Sequence, residues 1–349
     1  MKIIYLTDIH DALRELKTIL TSTEADLYML CGDILYKAFY DEDKIYQFVC
    51  LQEEFYALAR ERGEKIYPYD LATDLLRFPE KYGDYGSEEW KMKAAEYRLL
   101  FAKASKTMKE KYELIEGMIQ KYAGASCFLL PGNYDIDLRY TDLDHRDLHQ
   151  KKKKHGDLLF AGYGGAPIAT SGIPEKLAVV YHESSNEQNF YSEPHDLFSE
   201  YLPDVMALHN PVYGYFDRIP AVGHVGSVGI RNYLDDHKPM LVTSGHVHED
   251  YGIRVHKGTV YLNTSNFGGV DSPYGWQAGG TFGELEVEGR EIKSFRLRRL
   301  VENDIHELLE VDHSEPGTLV PRRLQGASQS ALNLDEFVRT PNGEPIETA

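Results

Sequence analysis

Short apolar runs in this 349-residue chain stop, one after another, at residues that can bind metals. Residues 2–7 end at Asp8, with His10 two positions on, and residues 26–31 end at Gly32-Asp33. The run 126–130 ends at Pro131-Gly132-Asn133-Tyr134-Asp135, 204–208 ends at His209, and 239–244 ends at Gly245 followed by His246 and His248. Apolar runs of this length match strands buried on both faces, so each polar group stands where a strand leaves a sheet. Asp8 and His10, like His246 and His248, are two apart, which in an extended segment puts both side chains on one face. Between the first two runs Leu13, Leu16 and Leu20 share a helical face, with Asp11 as the expected N-cap. Strand, helix, strand with polar strand ends predicts a layered α/β fold whose site lies along one sheet edge.

From 41 to 122 the texture is helical. Ile45, Phe48, Val49 and Phe55 fit one face. Ser87 is placed to cap a second helix, with Glu88 and Glu89 near the positive end of its dipole. That helix carries Trp90, Ala94, Tyr97, Phe101, Ala104, Met108, Ile115 and Met118 at alternating spacings of four and three, with Lys111 as the break. The pattern predicts a helix about 50 Å long with one apolar seam, packed on its own hairpin and the body of the protein. A homo-oligomer interface or a substrate cap formed by 87–122 is the alternative. Further on, Lys151–Lys154 reads as a solvated turn, with an anion-binding patch as the alternative, and 194–201 as a helix. Ser227 caps another helix through about Asp236, and 258–262, 280–287 and 291–297 read as antiparallel strands. The expected organisation is a main domain from 1–40 and 123–300, a helical insertion at 41–122, and a mostly irregular tail at 301–349.

Charge narrows the function. With 38 Lys and Arg against 56 Asp and Glu, the formal net charge is −18, which repels a polyanion and places nucleic acid behind a small phosphoester as the expected partner. Asp8 interrupts the first apolar run before it reaches signal-peptide length, and no stretch approaches the roughly 20 apolar residues of a membrane span, so the expected location is the cytoplasm, with no membrane partner. Cys31, Cys50 and Cys127 show no paired spacing and read as reduced thiols.

Asp8, His10, Asp33, Asn133, His209, His246 and His248 are too many ligands for one tetrahedral ion and suit two ions with higher coordination. Carboxylate and imidazole donors fit Mn, Fe, Zn, Ni or Co. Asp33, beside a glycine, is the natural bridge, and a water shared by two cations would supply hydroxide near neutral pH. The motifs DIH, GD, GNYD, His209 and GHVH resemble those of the calcineurin-like metallophosphoesterases, whose pattern is DxH, GD, GNH(D/E), H, GHxH. The resemblance spans roughly 1–40 and 123–300; the long 41–122 segment departs from the compact pattern. It implies a four-layer α/β/β/α sandwich, with one metal on Asp8, His10, Asp33 and His248 and the other on Asp33, Asn133, His209 and His246. The segment GHVGS at 223–227, before a helix, also resembles one seen in some members; His224 in it reads as a satisfied loop histidine, with reach to the phosphate as the alternative.

Tyr134 stands where the family pattern has a histidine that holds the phosphate and protonates the leaving group. A phenol with a reference pKa near 10 donates a hydrogen bond but is poorly matched to proton shuttling at neutral pH. The resemblance thus implies a metal-dependent phosphoesterase, a diesterase ahead of a monoesterase, with a metal-bridging hydroxide as nucleophile. Asp33, Asn133, Tyr134, Asp135 and His224 are the catalytic candidates. Asp135 reads either as support for the ligands or as a loop hydrogen-bonding residue, and Tyr134 either as a donor or as wall. A scaffold of the same fold, recruiting a partner through the long helix, and a nuclease are the competing functions.

Overall fold

The computed structural model describes residues 1–168, 170–185, 190–272 and 275–348. Strand β1 (Lys2–Thr7) pairs in parallel with β2 (Leu27–Cys31), and β2 with β3 (Ser126–Leu130). On its other side β1 pairs antiparallel with Thr281–Glu288. Glu291–Val301, Asp304–Asp312 and Val320–Arg323 then complete a seven-stranded sheet. A second seven-stranded sheet runs, from one edge, through Val338–Arg339, Gly252–His256, Thr259–Asn263, Leu241–Thr243 and Val205–Leu208. It ends with β5 (Leu158–Tyr163) and the edge strand β4 (Lys152–His155).

The alternation along each strand builds the layers. Ile3, Tyr5, Leu27 and Met29 face the second sheet and share a core with Phe160, Val205, Leu241 and Val260. Ile4, Leu6, Tyr28 and Leu30 face outward, under α1 (Leu13–Ser22), α2 (Glu42–Glu61), α3 (Pro68–Arg77) and α4 (Glu88–Tyr122). On the far side, Ala161, Tyr163, Met206 and Val242 lie under α5 (Glu193–Tyr201) and α6 (Val228–Asp236). Burial on both faces is why these strands read as unbroken apolar runs. The result is a four-layer α/β/β/α sandwich.

Helix α4, at 35 residues, is about 52 Å long. Its seam residues Ala94, Tyr97, Phe101, Ala104, Met108 and Ile115 are buried in the core shared with α1, α2, α3 and the outer face of the first sheet. The seam is therefore filled within the chain. Lys111, the break in the stripe, is itself buried. Its ammonium donates to Asp11 Oδ1 at 2.9 Å and to the Lys37 carbonyl at 2.7 Å, so the helix carries a charge inward to a partner. This also corrects the role expected of Asp11. Ala12 is the N-cap of α1, and the other Asp11 oxygen accepts from the backbone N–H groups of Tyr36 and Lys37. Ser227 does cap α6, accepting from the Ile230 N–H.

Two further expectations are corrected. Segment 301–349 is not mostly irregular: it supplies Asp304–Asp312, Val320–Arg323 and Val338–Arg339 to the two sheets. A register shift after Leu297 leaves Leu308 and Leu309 both buried, which breaks the two-residue period that would have revealed the strand. Lys152–His155 is an edge strand rather than a turn; lysines along an open edge discourage pairing with another chain. Among the described residues, no helix is long and apolar enough to cross a membrane.

Candidate metal centre

The strands ending at Asp8, Asp33, Asn133, His209 and His246 deliver their loops to one place, where backbone hydrogen bonds tie the loops together. Asp8 N–H donates to Gly32 O at 3.0 Å, His10 N–H to Asp33 O at 2.9 Å, and Gly245 N–H to His209 O at 3.1 Å. Asp8, His10, Asp33 and His246 all have φ between 42° and 65°, a region costly for residues with a Cβ. Such strain persists only where the surroundings over-determine it, and it concentrates at functional sites. Gly132 lies against Asp33, and Gly245 against Thr7 and Asp8, so closely that a Cβ at either position would collide.

Two groups of ligand-type atoms result. In the first, His248 Nε2 lies 3.2 Å and His10 Nε2 3.8 Å from Asp8 Oδ1, and the two Nε2 atoms are 3.4 Å apart. The second contains Asp33, His209 and His246. There His209 Nε2 is 3.5 Å from Asp33 Oδ1 and 2.9 Å from Asn133 Oδ1, and the His209 and His246 rings meet edge to face at 5.1 Å. Within each group the ligand atoms lie within 4.8 Å of one another. Donor atoms around one ion with bonds near 2.0–2.2 Å are separated by about 3–3.5 Å, which is close to the spacing of the first group. Facing imidazole nitrogens beside a carboxylate, all nearly shut off from solvent, need a proton or a cation between them. The donor set therefore fits two metal ions.

In the metal-free protein the electrostatics follow from burial and mutual charge. Burial pushes the Asp8 carboxyl up, but His248, His209 and His10 outweigh it and hold it well below the usual range. Asp33 is lowered in the same way, burial being outweighed chiefly by His209. Burial also lowers His10 and His246, each to about 4, leaving both imidazoles neutral and free to ligate. His248 goes the other way, to about 9, because Asp8 overcomes the burial effect.

Neighbouring side chains aim these groups. Thr7 Oγ1 donates to Asp8 Oδ2 at 2.7 Å, leaving Oδ1 toward the cluster. Gln277 Oε1 lies 2.9 Å from His248 Nδ1 and accepts the proton there, so that Nε2 is the nitrogen that would give up its proton to ligate a metal. Thr170 Oγ1 accepts from Asn133 Nδ2 at 2.9 Å, which turns Oδ1 toward His209. Thr170 and Gln277 were not foreseen from sequence; both come from segments without a motif.

Of the remaining candidates, Tyr134 borders the centre. Its N–H donates to Asp33 Oδ1 at 2.8 Å, and its ring lies 6.3 Å from that of His10 and 5.0 Å from that of Tyr36. Tyr36, itself edge-on to His10 at 5.2 Å, completes an aromatic wall that the sequence did not announce. Asp135 is fully buried and points elsewhere: Oδ2 accepts from Ile34 and Gly132 N–H, and Oδ1 from Leu35 N–H and the Tyr112 hydroxyl. Of its two expected roles, the geometry is that of the loop clamp, with α4 as the far jaw. His224 sits in a short hairpin, with Nδ1 2.7 Å from Asp217 Oδ1 and its ring against Tyr213, outside both ligand groups.

Two facing sheets, a helical layer on each side, and paired Asp/His groups at the strand ends make the four-layer α/β/β/α arrangement that the motif resemblance implies. No family model and no curated protein matches the chain in sequence. Among solved structures, one crystal structure is 16% identical, covering 86% of this chain and 99% of its own, with a TM-score of 0.51. TT1561 of Thermus thermophilus is 12% identical with a TM-score of 0.37, over 88% of this chain and 97% of its own. Wild-type Vps29 complexed with zinc from Entamoeba histolytica is 10% identical with a TM-score of 0.37, over 89% and 99%.

Proposed function

We propose that the chain is a metal-dependent phosphoesterase that hydrolyses a phosphodiester in preference to a monoester. One divalent ion is assigned to Asp8, His10, Asp33 and His248, and a second to Asp33, Asn133, His209 and His246. The observation that carries this reading is the pair of buried Asp/His groups, set side by side on strained loops and each with the donor types and crowding of a metal shell. Bound there, two divalent ions would supply an acidified water as nucleophile and neutralise charge on the phosphate.

The protein's own contribution is shape and hydrogen bonding. In the metal-free protein burial, reinforced by Asp33 and Tyr36, pushes the Tyr134 phenol up to about 12; in the proposed reaction its hydroxyl acts as a donor toward a phosphoryl or leaving-group oxygen. A phenol, with an ordinary pKa near 10, is poorly matched to relaying protons at neutral pH, which favours esters whose alcohol departs without prior protonation. A scaffold role would need neither ligand group. The test is metal analysis and turnover of bis(p-nitrophenyl) phosphate by the purified chain loaded with Mn, Zn or Fe. Metal-stimulated turnover that Asp33→Asn abolishes together with metal retention is expected; a chain that takes up no divalent metal and hydrolyses neither aryl diesters nor single-stranded DNA refutes the assignment.

A further inference from the structure

The buried stripe of α2 runs Phe48, Leu51, Gln52, Phe55, Leu58 and Ala59, and Gln52 is its one polar member. A primary amide shut off from solvent is costly unless its donors and acceptor are used. Gln52 uses them all on one short stretch of chain. Its Oε1 accepts from the Gly172 N–H at 2.7 Å, and its Nε2 donates to the Ile173 carbonyl and to Glu175 Oε2, both at 2.9 Å.

The other helices of the insertion grip the same stretch. Glu175, itself buried, accepts at Oε1 from the Tyr69 N–H of α3 at 2.8 Å and at Oε2 from the Tyr97 hydroxyl of α4 at 2.7 Å. Gly172, with φ of 89°, lies so near α2 that a Cβ on it would stand 3.2 Å from Val49 Cγ2. Residues 170–178 thus form a strap fastened to α2, α3 and α4.

At both ends the strap meets the loop that carries Asn133. Thr170, two residues from Gly172, accepts from Asn133 Nδ2 at 2.9 Å. At the other end the Leu177 carbonyl accepts from the Asp137 N–H at 2.8 Å, and Ala178 bridges to Ile136. A carboxamide ligates through its oxygen, so the acceptor that holds its NH2 decides where that oxygen points. Here it points at His209, with Asn133 Oδ1 2.9 Å from Nε2. In the other half of the centre His248 is aimed by Gln277, from a different loop.

We propose that Gln52 is a positioning residue for the second metal ion: through the strap it holds Thr170, and through Thr170 the Asn133 carboxamide. The helical insertion thereby sets affinity at the Asn133–His209–His246 site and not at the Asp8–His10–His248 site. This deepens the two-metal assignment made above and rests on it.

Equilibrium titration of the metal-free full chain with Mn(II) and, in parallel, Zn(II), with bound metal counted by elemental analysis, tests the proposal without turnover. Wild type is expected to bind two ions, and Asn133→Ala identifies the affinity that belongs to the Asn133 site. Thr170→Val and Gln52→Met should each weaken that affinity about tenfold, as loss of a group that orients a ligand does, and leave the other affinity unchanged. Thr170→Ser, which keeps the hydroxyl, should retain wild-type affinity. Because Gln52 acts through Thr170, the double variant should bind no more weakly than Thr170→Val alone, whereas an independent loosening of the fold would add its own loss. If Gln52→Met does not fold, Tyr97→Phe, which removes one donor to Glu175, takes its place in the cycle with an expected effect of about threefold. Unchanged affinities, equal weakening at both sites, or additive losses in the double variant overturn the inference while the two-metal assignment stands. A wild-type chain that binds fewer than two ions of either metal refutes that assignment, and the inference with it.

Discussion

Replacing Tyr112 by Phe removes one oxygen from the middle of α4 and tests how the helical segment is joined to the centre. The Tyr112 hydroxyl donates to Asp135 Oδ1 at 2.6 Å, with both residues fully buried. A hydrogen bond to a charged group contributes about 1.5–3 kcal/mol, against about 1 kcal/mol for a neutral pair. Burial and the charge of Asp33 hold the Asp135 carboxyl up at about 6 in the metal-free protein, although its hydrogen bonds oppose the rise. Because this folded value lies above the unfolded value near 3.9, the native state binds the proton more tightly. The group therefore lowers stability as pH rises from about 4 to 6, and its effect is complete above that range. Removing a donor to the carboxylate raises the folded value further, so wild type and variant diverge as pH increases. Unfolding entropy of roughly 2.1 cal/mol/K per residue gives about 0.7 kcal/mol/K for this chain, so a loss of about 2 kcal/mol lowers Tm by about 3 °C. Thermal unfolding of metal-free Tyr112→Phe should show that drop at pH 8 and about 1 °C at pH 5. Equal shifts at both pH values, or no shift at pH 8, would refute the claim that a buried carboxylate links helix and loop.

Tyr134→Phe should lower kcat/KM for an alkyl phosphodiester about tenfold more than for a p-nitrophenyl one, since only a poor leaving group needs the phenol's hydrogen bond; unchanged relative rates make Tyr134 a wall. Gln277→Ala should weaken metal binding by about 10- to 100-fold in a chelator titration, because His248 loses the partner that fixes its tautomer; unaltered affinity would show that His248 is oriented by other contacts. His149 gives a pH signature away from the centre. Burial lowers its imidazole to about 4, and Nδ1 accepts from the Gly164 N–H at 2.9 Å. Its contribution is therefore complete above the unfolded value near 6.5 and is lost as pH falls toward 4, by up to about 3 kcal/mol. Urea unfolding of His149→Gln should accordingly show a shallower fall in stability between pH 6.5 and 4 than wild type, and parallel curves would remove His149 as the cause.

The residues that the structure gathers into the two Asp/His groups were visible as candidates because each follows a strand buried on both faces, whose apolar run points at its own end. Nothing comparable announces Tyr36, Thr170 or Gln277, which act across loops and become neighbours of His10, Asn133 and His248 only in three dimensions. The terminal strands were missed for a local reason: the extra residue at Leu308 puts two leucines inward in succession and hides the alternation. Lys111 was visible as an interruption in a seam, but its meaning required Asp11, 100 residues away.

That pairing has a consequence for regulation. Lys111 and Tyr112 are adjacent on α4, and they grip Asp11, next to His10, and Asp135, two residues from Asn133. One turn of a single helix thus touches the loops of both halves of the centre. If a ligand or partner shifted α4 relative to the sheet, metal affinity would change with it, and by thermodynamic reciprocity metal occupancy would change affinity for that partner by the same factor. Two buried side chains, Lys111 and Tyr112, are the contacts through which such a shift would reach the centre.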